Sequence, residues 1–155
     1  MRVKEWVDGS LILDGDISQG IEEAFKEGRY VEAFALLQAQ IDWWMADLHQ
    51  LCSLKSGKLR HWDLGEMIDS YPFRFNDSLK FLLGEGVLSK KECASLKEFY
   101  ALRNKIVHRL IMRSYQPAKR NKLTRVEVMK GFEKGKVLAK LLGNKTASYL
   151  PFYKQ

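Results

Sequence analysis

Apolar residues recur at three- and four-residue intervals along most of the chain, a pattern typical of amphipathic helices packed around a core. The longest stretch of this pattern runs from about Tyr30 to Leu54. Its apolar face consists of Phe34, Leu37, Ile41, Trp44, Leu48 and Leu51. The periodicity predicts a long core helix here. Within it, the pair Trp43 and Trp44 fits the core or a dimer interface better than a platform for stacking bases.

Capping residues and glycines divide the rest of the pattern into further helices. A Ser, Thr or Asp followed three residues later by Glu or Gln satisfies free amides at a helix start, and Gly commonly ends a helix. These signals predict helices over Asp16–Gly28, Ser89–Met112 and about Thr124–Gly143. Two shorter helices, about Asp63–Tyr71 and Asp77–Leu83, are predicted on either side of Pro72, with Gly84 and Gly86 ending the second. Gly131 and Gly135 lie inside the last helix, at a spacing that permits close approach of a neighbouring helix at some cost in helix propensity.

The N-terminal residues follow a different pattern. Met1–Leu13 alternates weakly between apolar and polar positions and contains Asp8-Gly9, a dipeptide that favours a hairpin turn. We therefore predict an all-α bundle of four to five helices over residues 16–143, preceded by an extension, residues 1–15, with a short hairpin. Residues 144–155 form a C-terminal tail that we expect to dock on the bundle or the hairpin.

Length and composition fit one globular domain. The chain has 155 residues, of which 46% are hydrophobic and 29% charged, so it can bury a core without disulfides or metal ions. It contains no run of about 20 apolar residues and no apolar signal-peptide block, and we expect a soluble cytoplasmic protein with no membrane association. Cys52 and Cys93 lack metal-type spacing. We interpret them as reduced thiols and predict neither a metal site nor a cofactor.

Positive charge is concentrated in the last third of the chain. Residues 1–100 carry 12 basic and 17 acidic side chains, whereas residues 101–155 carry 14 and 2, within a net charge of +7. A cationic block of this kind attracts phosphate backbones and releases their counterions on binding. The alternative is a solvated basic surface without a specific partner.

The candidate chemistry lies in the helix predicted over Ser89–Met112. Advancing 100° per residue places Arg103 near the middle of an apolar arc that includes Phe99, Tyr100 and Ile106. A guanidinium in such a stripe is costly unless it is paired or faces a cleft. Asn104 and His108 are i, i+4 neighbours at the rim of the same arc. Three polar groups are therefore expected along one edge of a hydrophobic face.

The segment LRNKIVHR, residues 102–109, resembles the signature of HEPN domains, in which Arg is followed by a polar residue and, after four intervening positions, by His. The resemblance is strongest over Gly84 to Arg113. HEPN domains are helical bundles that pack a late long helix carrying the motif against an early long helix. This arrangement matches Ser89–Met112 and Tyr30–Leu54.

The resemblance implies a metal-independent endoribonuclease that works as a homodimer, with a role in toxin–antitoxin control or defence and an antitoxin protein as a further partner. His108 would act on the ribose 2′-hydroxyl or the leaving oxygen, since free His titrates nearest neutral pH. Arg103 would hold the scissile phosphate, and Asn104 would orient the imidazole or donate to phosphate. Leu110 stands where toxins paired with nucleotidyltransferase antitoxins carry Tyr, so control by tyrosine modification is not expected at this position.

Basic residues that follow the motif are candidate RNA contacts, and a solvated loop is the alternative reading. We assign phosphate contacts to Arg109, Arg113, Lys119, Arg120, Lys122 and Arg125, and base stacking to Tyr115. Two other functions stay open for the whole chain. One is a non-catalytic HEPN module that binds RNA or a nucleotide or scaffolds a partner protein, and the other is a helical dimer kept soluble by its basic third.

Overall fold

A computed structural model of the chain describes residues 2–7, 10–14, 17–57, 74–111 and 123–149, with side chains for 17–57, 74–108 and 123–149. These ranges contain five helices, which confirms the predicted all-α bundle. The helices are α1 (Ile17–Lys26), α2 (Tyr30–Lys55), α3 (Phe75–Gly84), α4 (Lys90–Ile111) and α5 (Arg125–Tyr149). The helix predicted over Asp63–Tyr71 lies outside the described residues.

The predicted N-terminal hairpin is present. Strand β1 (Arg2–Val7) pairs antiparallel with β2 (Ser10–Asp14), so that Val7 lies opposite Ser10. The turn predicted at Asp8-Gly9 lies outside the described residues. The register is irregular between Val3 and Glu5. This pair of strands forms the whole of the sheet that the described residues contain.

Helix α2 forms the centre of the bundle and contacts each of the other four helices. Its fully buried residues repeat every three or four positions, as the sequence predicts, but the stripe shifts by one residue in its second half. Met45 and Cys52 are buried where the pattern suggested Trp44 and Leu51, which are half-buried. Trp43 is 56% exposed and stacks on Trp44, so it lies outside the core, and the alternative of a dimer interface stays a prediction.

The helix ends that position α4 follow the predicted local signals. Gly86 has a positive φ of 70°, and the amide of Val87 donates to the carbonyl of Leu82 at 2.9 Å, the pattern of a glycine-terminated helix. Ser89 and Glu92 then form the predicted capping box, with the amide of Ser89 2.6 Å from Glu92 Oε2 and the amide of Glu92 3.2 Å from Ser89 Oγ. Both signals were readable because they depend only on near neighbours.

Glycines in α5 allow close packing against α2 and α4, as predicted. A Cβ on Gly131 would overlap the Leu102 side chain, and one on Gly135 would overlap Phe99 and Leu37. Gly143 lies beside the Trp44 indole, which would be in ordinary contact, at 3.4 Å, with an added Cβ. The helix does not end there: α5 continues to Tyr149, so the predicted end at Gly143 is wrong.

No helix in the described ranges is both long and apolar enough to cross a bilayer.

Candidate functional site

The motif residues lie on the exposed edge of α4. The opposite, inner face of α4 carries Leu96, Phe99 and Ile106, which are all buried. This face packs against α2 and α5 and so sets the orientation of α4. Arg103 is half-buried, whereas Asn104 and His108 are exposed. Arg103 Nη1 donates to Asn104 Oδ1 at 3.1 Å. Among the described contacts, no hydrogen bond joins Asn104 to His108, the pair that the i, i+4 spacing places side by side.

A carboxyl group on α2 faces this edge. Asp42 accepts a hydrogen bond from the Tyr100 hydroxyl and another from Gln38 Nε2 at 3.2 Å. Tyr100 lies one turn before Arg103 on α4, and its ring stacks on Phe75 of α3, with centroids 3.8 Å apart. Three helices therefore fix the position of one carboxyl group next to the motif arginine.

The pKa of Asp42 is unusual for an aspartate. Burial raises its pKa to about 6, although the hydrogen bond from Gln38 and the positive charge of Arg103 act in the opposite direction. A carboxyl group with this pKa changes its charge close to neutral pH, which an ordinary surface aspartate does not do. The net charge of the edge consequently depends on the protonation of Asp42.

Two residues that interact with Asp42 each have a buried polar atom without a hydrogen-bond partner among the described residues. These atoms are Arg103 Nε and Gln38 Oε1. Within the same ranges, no carboxylate lies within 4 Å of the Arg103 guanidinium. Arg103 is therefore influenced electrostatically by Asp42 without being locked in an ion pair among the described residues, although its Nε is buried and cannot itself meet an anion from solvent.

The remaining predicted RNA contacts are only partly described. Arg125 is exposed at the first residue of α5. Arg109 lies in α4, but its side chain is outside the described set. The predictions for the loop residues Arg113, Tyr115, Lys119, Arg120 and Lys122 also lie outside it.

Sequence reasoning missed Asp42, Gln38 and Tyr100. Asp42 lies on the predicted long helix, next to two tryptophans, and Tyr100 was counted with the apolar arc of α4. The separation of 58 residues between Asp42 and Tyr100 leaves no local signal of their contact. An acidic residue interrupting the edge of an apolar stripe was the available hint.

A second polar cluster lies between α2 and α3. His49 Nδ1 is 2.9 Å from Ser78 Oγ, and the His49 ring stacks on Phe81 with centroids 4.2 Å apart. Burial lowers the pKa of His49, opposed by the charge of Asp77. Because Ser78 is fully buried, this pair joins two helices and offers no access for a substrate.

A groove of about 470 Å³ opens between α1, α2 and α5. Its wall includes the Trp44 indole, and its rim carries Lys136 and Lys140. Lys136 Nζ is engaged by Glu22 at 2.7 Å and Glu133 at 2.9 Å. The groove contains no residue of α4, so it is separate from the motif edge. Among the described residues, no group of three or more His, Cys, Asp or Glu side chains is arranged to hold a metal ion.

No protein-family model, curated protein or solved structure matches the chain. The resemblance to HEPN domains therefore depends on the motif in α4 and the order of the helices.

Proposed function

We propose that the protein is a metal-independent endoribonuclease of the HEPN type, active as a homodimer in which two α4 edges face one cleft. The observation that carries this proposal is the state of Arg103, whose guanidinium is half-buried, hydrogen-bonded to Asn104 and free of an ion pair among the described residues. A guanidinium held in this way can offer its N–H groups to a phosphodiester.

The proposed reaction needs proton transfer and charge stabilisation. The ribose 2′-oxygen forms a bond to phosphorus, its proton passes to a base, and the bond from phosphorus to the 5′-oxygen breaks as that oxygen gains a proton. His108 is exposed five residues after Arg103 on α4 and can carry one of these protons. Arg103 would stabilise the negative charge that develops on the phosphoryl oxygens.

A cleavage assay on a fluorescent single-stranded RNA in EDTA tests this function. We expect the wild-type chain to cut the RNA and leave a cyclic phosphate and a 5′-hydroxyl. His108→Ala and Arg103→Ala should each lower the rate by about 100-fold or more, because each removes one component of the transition state. Lys80→Ala, an exposed lysine on α3, serves as the control and should retain full activity.

The outcomes separate this function from its alternatives. Salt-sensitive RNA binding without cleavage would indicate a non-catalytic RNA-binding module. The absence of both binding and cleavage would indicate a helical dimer with a solvated basic surface. Cleavage that survives both motif substitutions would contradict the site.

A further inference from the structure

Asp42 is hydrogen-bonded to Tyr100, one helical turn before Arg103 on α4, and this placement suggests that the carboxyl group affects the charge of the motif edge. Asp42 belongs to α2, and its two hydrogen bonds, from Tyr100 and Gln38, hold it against α4. Arg103 is the cation that acts on it electrostatically.

The groups facing Asp42 in the described structure are few. From α4 they are the Tyr100 hydroxyl and the Arg103 guanidinium, and from α2 the neutral Gln38 amide. Helix α3 contributes the uncharged ring of Phe75, which packs on Tyr100. When Asp42 is protonated, its negative charge therefore no longer compensates the positive charge of Arg103.

The two protonation states have different consequences for a phosphodiester. An ionised Asp42 attracts the guanidinium towards α2 and orients it, but its negative charge also repels the phosphate. A neutral Asp42 removes this repulsion and, at the same time, the attraction that orients Arg103. Acidification should thus strengthen binding and weaken the alignment needed for chemistry.

We propose that Asp42 is a positioning residue for Arg103 and that its protonation converts the α4 edge from an oriented, charge-balanced phosphate site into a positively charged one with higher affinity for RNA. This inference rests on the proposed RNA-cleaving function, and it concerns the control of that site by pH.

The test measures binding of a 2′-O-methyl RNA oligonucleotide to the full-length His108→Ala protein by fluorescence anisotropy between pH 5 and 7.5. The His108→Ala background is used because a histidine at the site would itself gain charge on acidification. We expect the affinity to rise about three- to tenfold as the pH falls, the size expected for loss of one charge several ångströms from a phosphate near the surface.

Three further substitutions in this background identify the group responsible. Asp42→Asn should bind tightly already at pH 7.5 and show no such rise. Asp47→Asn is the matched control, since burial also raises the pKa of Asp47, and it should behave like the parent. Tyr100→Phe removes a donor to the ionised carboxylate and should move the midpoint of the rise upward by about one pH unit.

Cleavage kinetics with His108 restored give an independent readout. Asp42→Asn should lower KM and kcat together, a combination that simple loss of folding does not produce. An unchanged pH dependence of binding in Asp42→Asn, or an equal loss in Asp47→Asn, would overturn the role of Asp42 while leaving the endoribonuclease proposal intact. Failure of every variant to bind RNA would overturn both.

Discussion

At the scale of single residues, Asp42 shows how packing changes the chemistry of a side chain. Burial raises its pKa to about 6, from an ordinary value of 3.8. At a pH between 3.8, where Asp42 titrates in the unfolded chain, and about 6, where it titrates in the folded protein, only the folded protein keeps the proton on this carboxyl group. The free energy of unfolding must therefore fall as the pH rises through this window, and the cost of the buried charge remains at higher pH.

The fall in the free energy of unfolding with rising pH leads to a prediction for Asp42→Asn. The variant should be more stable than the wild type at pH 7.5, by about 1 kcal/mol because the carboxylate is still partly solvated, and the difference should diminish towards pH 4. Urea denaturation followed by circular dichroism at the two pH values measures the effect. A stability difference that is independent of pH would show that Asp42 is not the titrating group.

At the scale of secondary-structure elements, the small residues of α5 determine how closely it approaches α4. Gly135 packs against Phe99 and Leu37, both buried. Gly135→Ala should lower the free energy of unfolding by about 1–2 kcal/mol, because the cost of overpacking exceeds the gain in helix propensity. Chemical denaturation measures this loss.

Gly84→Ala is the matched control for Gly135→Ala. Gly84 is the last residue of α3, and an added Cβ there would meet no atom within 4 Å. This substitution should leave stability unchanged or raise it by a few tenths of a kcal/mol. Equal effects of the two substitutions would mean that the contact between α4 and α5 is not tightly packed.

At the scale of the whole molecule, the cationic last third should make RNA binding depend on salt. For about four phosphate contacts with single-stranded RNA, affinity should fall roughly 50-fold between 50 and 200 mM salt. Arg125→Gln, which removes one exposed candidate contact, should reduce the slope of log affinity against log salt by about 0.7. Fluorescence anisotropy across a salt series measures the slope.

Lys80→Gln provides the control for the salt series. Lys80 is exposed on α3, in the acidic part of the chain, so its removal should leave the slope unchanged. If Arg125→Gln and Lys80→Gln reduce the slope equally, RNA binding depends on the total charge of the protein and not on a defined basic surface. The predicted homodimer is tested separately by sedimentation of the wild-type chain.

Much of the bundle could be predicted from near neighbours in the sequence. The capping box of Ser89 and Glu92 and the glycine that ends α3 depend on residues within one turn of each other. The core stripe of α2 was predicted less accurately, because a period of three or four residues allows both Trp44 and Met45. The packing of the neighbouring helices makes the choice: it buries Met45 fully and leaves Trp44 half-buried beside Gly143 of α5.

The sequence by itself determined the helices, most of their ends, the basic last third and the residues of the α4 motif, because these follow from local hydrogen bonding, periodicity and charge. Only the tertiary structure decided that Asp42 meets Tyr100 and acts on Arg103. That contact joins helices far apart in the chain, and the raised pKa of Asp42 arises from the burial that their packing creates. Neither effect has a signature in the order of the residues.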